Sequence, residues 1–132
     1  EETQVSRYFQ GASGKTIMNG LMADLREHPP REIGGVPVVT VKDYSNGTTR
    51  VLQTGEVEQN IDLPSSNVLQ FILEDETVVS ARPSGTEPKI KFYASVNSTA
   101  GTPLERAVPE VRERLARVRE WIDAQIARAE SG

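Results

Sequence analysis

The chain has 132 residues, the size of one domain, and its 36% hydrophobic content suffices for one small core. Its 15 Lys and Arg against 19 Asp and Glu leave a net charge of -4, which argues against general nucleic-acid or anionic-membrane binding, since both need a basic excess. The absence of cysteine excludes disulfides, a thiol nucleophile and Cys-ligated zinc, and it fits a reducing, cytoplasmic compartment.

Residues 2 to 9 alternate weakly and could form a strand that pairs with something later. Gly11 to Gly14 breaks that pattern. Ser13 is a candidate N-cap, and Ile17, Met18, Leu21, Met22 and Leu25 fall on one face of the helix that follows. Pro29 and Pro30 stop it. The only histidine, His28, stands at this stop, so no two-His metal site can form. A solvated helix C-cap is the favoured role for it. Gly34-Gly35 signals a turn, and Val36 to Tyr44 reads as a strand with Val39 and Val41 on one face.

Between Ser45 and Ser66 the composition turns polar, with turn dipeptides at Asn46-Gly47 and Thr54-Gly55. A loop of this length is functional, mobile or hides short strands, of which Arg50 to Gln53 could be one; a mobile surface excursion is favoured. Val68 to Leu73 and Val78 to Arg82 read as a β-hairpin. Lys89 to Val96 alternates cleanly. Ile90, Phe92, Ala94 and Val96 face one way and Lys89, Lys91, Tyr93 and Ser95 the other. Thr102-Pro103-Leu104-Glu105 has the form of a capping box, with proline at the first helical position. Leu104, Val108, Val111, Leu115, Val118 and Ile122 then build an apolar stripe, expected to pack on the domain's own sheet rather than in a coiled coil. Pro109 should kink this helix or mark a second start. No apolar run approaches the roughly 18 residues of a membrane span, and no signal-peptide pattern opens the chain. The first residue is Glu rather than Met, so a piece of a longer protein is expected.

Two segments invite a chemical reading. Gly11 to Thr16 ends like a P-loop, but that pattern requires glycine at position 9, where Phe9 stands. A glycine-rich entry into a helix is the favoured reading. Arg82-Pro83-Ser84-Gly85-Thr86-Glu87-Pro88-Lys89 is stronger. A phosphate dianion calls for a guanidinium that donates two parallel hydrogen bonds, which Arg82 can supply. It also calls for short hydroxyl donors, here Ser84 and Thr86, and for backbone N–H groups that converge where Gly85 lets the chain come close. Lys89 and Lys91 add positive potential, and Glu87 is the one carboxylate between Arg82 and Lys91. An ordinary turn between two strands uses the same residue types, so the residues alone leave both readings open.

Arg82 to Tyr93, with the sequence Arg-Pro-Ser-Gly-Thr-Glu-Pro-Lys-Ile-Lys-Phe-Tyr, closely resembles the phosphate-binding loop of the α-D-phosphohexomutases, the phosphoglucomutases and phosphomannomutases. The segments 25–30, 41–44, 54–55, 61–64 and 66–69 also resemble the bacterial phosphoglucomutase branch. The resemblance covers about residues 11 to 96, and the last helix fits by position. It implies the fourth, C-terminal domain of such an enzyme, with residues 13–130 as the phosphate-binding domain and 1–12 as a linker or first strand from the preceding domain. The implied fold is α+β, a small, mainly antiparallel four-stranded sheet with helices packed on one face, like the half-repeat of the TATA-binding protein.

The resemblance further implies that Arg82, Ser84, Gly85 and Thr86, with Lys89 beside them, hold the phosphate of the sugar that is not being transferred. The family's phosphoserine loop, its Asp-Gly-Asp-x-Asp magnesium run and its sugar-reading loop have no counterpart in the sequence. No catalytic residue, metal ligand or cofactor is therefore expected in this chain, which alone should be inactive; Mg2+ belongs to the full-length enzyme. The implied partners are hexose phosphate, bisphosphorylated hexose and the remaining domains of the parent, with neither nucleic acid nor membrane. The rival expectation is a stand-alone anion-binding or protein-interaction module without catalysis.

Overall fold

A computed structural model of the chain describes residues 2–9, 11, 13–59, 61–62, 64–84, 86–96 and 103–131. Ten elements follow in the order β1 (Glu2–Tyr8), α1 (Gly14–Glu27), β2 (Glu32–Ile33), β3 (Val36–Asp43), β4 (Thr48–Val51), β5 (Val57–Glu58), β6 (Leu69–Leu73), β7 (Val78–Pro83), β8 (Lys89–Ser95) and α2 (Leu104–Ser131). The class is α+β, as expected, and every strand pairing is antiparallel.

The expected number of strands, four, is corrected to eight. The sheet runs β1-β8-β7-β6-β3-β4-β5, with β2 paired to β3. The surplus comes from both ends of the sheet and from a small hairpin. The weakly alternating residues 2–8 pair along their whole length with β8, from Glu2 opposite Ser95 to Tyr8 opposite Lys89. The polar stretch after Ser45, expected as a surface excursion, contains β4 and β5, which extend the sheet beyond β3. Their residues are half-buried or exposed, so no apolar alternation marks them.

Strands β6, β7 and β8 each place every second residue in the core: Leu69, Phe71 and Leu73; Val79 and Ala81; Ile90, Phe92 and Ala94. Both helices lie over this face. From α1 come Met18, Leu21, Met22 and Leu25, and from α2 come Val118, Ile122 and Ile126, all buried. Trp121 meets Phe71 edge to face, with ring centroids 6.5 Å apart. The apolar stripe of α2 thus packs on the sheet, although its first member with a described side chain, Val108, is exposed. The helix runs through Pro109 without a second start. The expected cap at Thr102 lies outside the described residues.

One detail of β3 departs from simple alternation. Val38 is opposite Leu73 while Thr40 is opposite Ile72, so the register shifts between them. Two residues of β3 span one step of β6, which is a β-bulge. The core residues are therefore Val38 and Val41, and Val39, expected on one face with Val41, is instead 39% exposed.

Candidate anion-binding cleft

The outer face of the sheet carries the polar half of each alternating strand. Near the end of β7 and the start of β8 that face becomes cationic. Arg82 and Lys91 are directly opposite each other in the antiparallel ladder, and Lys89 lies two residues before Lys91 on the same side of β8. Together with Pro83, Ser84, Glu87 and Tyr93 they line a cleft of ≈ 340 Å³.

The loop between the strands is held by its own hydrogen bonds. The Ser84 N–H donates to the Lys89 carbonyl (2.7 Å) and the Lys89 N–H to the Glu87 carbonyl (2.8 Å). The Ser84 Oγ accepts from the backbone N–H of Thr86 (3.3 Å) and of Glu87 (3.1 Å). With its oxygen so engaged, the Ser84 hydroxyl still has its proton to donate. The end of β1 anchors the other side. The Phe9 N–H donates to the Pro88 carbonyl (2.7 Å), the Tyr8 hydroxyl donates to Glu87 Oε2 (3.0 Å), and Lys89 Nζ sits 5.0 Å from the centre of the Tyr8 ring.

Among the described residues, Arg82, Lys89 and Lys91 make no ion pair with a carboxylate. Like charges directly opposed across a strand pair are unfavourable. Three cations thus line this cleft with one carboxylate, Glu87, and among the described residues none of the three is ion-paired with it.

Phosphoglucomutase from Staphylococcus aureus (strain bovine RF122 / ET3-1) is 41% identical over 96 residues, which cover 73% of this chain and 17% of the relative. This chain is similar to one domain-sized part of the phosphoglucomutases. The phosphoglucomutase of Staphylococcus haemolyticus (strain JCSC1435) is 42% identical over 93 residues, 70% of this chain and 17% of the relative. That of Staphylococcus epidermidis (strain ATCC 12228 / FDA PCI 1200) is 39% identical over 92 residues, 70% of this chain and 16% of the relative. The chain thus spans about one sixth of the length of the curated phosphoglucomutases it matches. No protein-family model matches it.

Of the residues that the sequence singles out, Arg82, Ser84, Lys89 and Lys91 line the cleft together. Thr86 is exposed and not among the lining residues; its backbone N–H meets Ser84. Gly85 lies outside the described residues. The structure adds Tyr93 to the cleft, legible from the alternation of β8. It also brings in Tyr8, whose approach follows from a strand pairing between the two ends of the sequence that no local signal announces. His28 is the C-cap residue of α1, its N–H donating to the Asp24 carbonyl (2.8 Å), and it is exposed. Among the described residues no group of three or more His, Asp or Glu could hold a metal ion, and no helix is long and apolar enough to cross a membrane.

Proposed function

We propose that the chain is the C-terminal domain of a phosphohexomutase and that its cleft holds the substrate phosphate that is not being transferred. The observation that carries this reading is the unneutralised set Arg82, Lys89 and Lys91 gathered beside the Ser84 hydroxyl. Arg82 supplies the planar fork that matches two phosphate oxygens. Ser84 donates its remaining proton, and the resemblance assigns Gly85 and Thr86 of the same loop to the phosphate as well. Lys89 and Lys91 add charge without directional demand.

In the parent enzyme, phosphate moves between the 1- and 6-positions of a hexose through a bisphosphorylated sugar, which must reverse its orientation between two transfers. A cleft that reads charge and tetrahedral shape rather than the sugar accepts either end equally well. Its contribution is positioning. The nucleophile and the sugar-reading groups are assigned to the rest of the parent. So is Mg2+, since the Asp-Gly-Asp-x-Asp run that would hold it has no counterpart in this sequence. Charged sugar phosphates do not cross membranes unaided, which assigns the enzyme to the cytoplasm, where they are made.

The test is a titration of the chain with inorganic phosphate, followed by backbone amide chemical shifts. Shifts should concentrate at residues 82–91, with affinity near millimolar, about 4 kcal/mol. Uniform or absent shifts at saturating phosphate would overturn the reading.

A further inference from the structure

Glu87 is the one carboxylate between Arg82 and Lys91, and it lines the cleft those cations share. Its flexible side chain would be a ready internal counter-ion for Arg82 or Lys91, yet it pairs with neither. It accepts instead from the Tyr8 hydroxyl at 3.0 Å. Tyr8 is itself fixed from two directions. Its backbone is in register with Lys89, and the ammonium of Lys89 stands over its ring. The adjoining Phe9 N–H ties the end of β1 to the loop at Pro88.

We infer that Tyr8 is a positioning residue of the cleft: its hydroxyl tethers the Glu87 carboxylate so that it does not close onto Arg82 and Lys91 and compete with an incoming anion. The inference rests on the phosphate reading above and adds a residue far from the loop in sequence. A carboxylate freed to approach the cations would act as a tethered competitor, at an effective concentration far above that of a free anion. Held by Tyr8, it leaves the cleft cationic and its loop ordered before ligand arrives.

The experiment compares phosphate titrations of the wild-type chain, Tyr8→Phe, Glu87→Gln and the double variant. Tyr8→Phe keeps the ring under Lys89 and removes only the tether. Its phosphate affinity should fall about three- to tenfold, the effect of the freed carboxylate coming to about 6 Å from the bound anion in a partly screened site. Glu87→Gln in the Tyr8→Phe background should restore wild-type affinity, because the amide does not compete with an anion. A merely structural role for Tyr8 predicts a loss that Glu87→Gln does not rescue. That result, or unchanged affinity in Tyr8→Phe, overturns the inference while the phosphate site stands. A wild-type chain with no shifts at residues 82–91 overturns the phosphate reading itself, and this inference with it.

Discussion

Arg82 on β7 and Lys91 on β8 stand directly opposite each other, two like charges on the outer face of the sheet. Such a pair costs stability, and among the described residues no carboxylate offsets it. Under the function proposed above, the unfavourable pairing is a standing attraction for a dianion. A bound phosphate would turn mutual repulsion into two charge-assisted contacts.

Arg82 should therefore matter for binding and hardly at all for folding. It is exposed, and no described contact ties it to the core. In the parent enzyme, Arg82→Ala should lower kcat/KM by about 10² or more, since each charge-assisted hydrogen bond contributes roughly 1.5–3 kcal/mol. Arg82→Lys keeps the charge but loses the fork, and should already be impaired. Unfolding stability should move by no more than about 0.5 kcal/mol. A large loss of stability with near-normal kcat/KM would make Arg82 a structural turn residue.

The readable parts of this fold are those in which sequence neighbours are also spatial neighbours. Strands β6, β7 and β8 follow one another with short connections, and their alternation states both register and facing. The cleft residues Arg82, Ser84, Lys89 and Lys91 belong to that run and were legible with it. Strand β1 closes the sheet through partners more than eighty positions away, a pairing that periodicity cannot announce. The same is true of the Tyr8–Glu87 contact. Strands β4 and β5 are short and lie partly in water, so they lack the apolar pattern by which strands are recognised.

Asp43 holds together the far side of the sheet. It is 6% exposed and accepts from Arg26 Nε (2.9 Å), from the N–H (3.0 Å) and Oγ (2.6 Å) of Ser45, and from Asn46 Nδ2 (3.3 Å). Arg26 in turn donates to Asn67 Oδ1 (2.6 Å), which joins α1 to the segment before β6. Removing the acceptor strands several donors at once. Asp43→Ala should destabilise the chain by about 2–3 kcal/mol in urea unfolding, less than for a fully enclosed pair because Arg26 reaches solvent. Phosphate affinity per folded molecule should not change; a coupled loss would tie this network to the cleft.

Two glycines of α1 should respond in opposite senses to alanine. Gly14, the first residue of the helix, is buried, and a Cβ there would run into the Phe9 carbonyl group, with its carbon only 2.9 Å away. Gly14→Ala must displace backbone and should cost about 1–3 kcal/mol. Gly20 lies mid-helix with nothing within 4 Å of the added carbon. Gly20→Ala should stabilise by about 0.5–1 kcal/mol through helix propensity. Thermal unfolding of the pair reads both signs, and equal effects would refute the close approach of the Phe9 carbonyl.

Glu76, in the β6–β7 turn, has φ 71, the only non-glycine residue at positive φ among those described. Left-handed backbone costs an L-residue roughly 1–2 kcal/mol, and no hydrogen bond from the Glu76 side chain is described to offset it. Its backbone N–H donates to the Leu73 carbonyl (3.0 Å), which glycine would keep. Glu76→Gly should therefore raise stability, by up to about 1 kcal/mol once the greater freedom of unfolded glycine is deducted. A decrease would show that the side chain supports the turn.

The bulge in β3 makes the sharpest test of register, because it reverses the expected roles of two adjacent valines. Val38 is 6% exposed and packs in the core, whereas Val39 is 39% exposed. Without the shift between Val38 and Thr40, Val39 and Val41 would share the inner face and Val38 would point to solvent. Truncation of Val38 to alanine removes two buried methyl groups' worth of packing, about 1.5–2 kcal/mol at roughly 0.8 kcal/mol per group. Val39→Thr keeps the β-branched shape on the outer face and should stay within about 0.5 kcal/mol of wild type. Under regular alternation the order inverts, since a hydroxyl at position 39 would then be buried without a partner. Measured side by side in urea, a larger loss from Val39→Thr than from Val38→Ala would remove the bulge and return the strand to simple alternation.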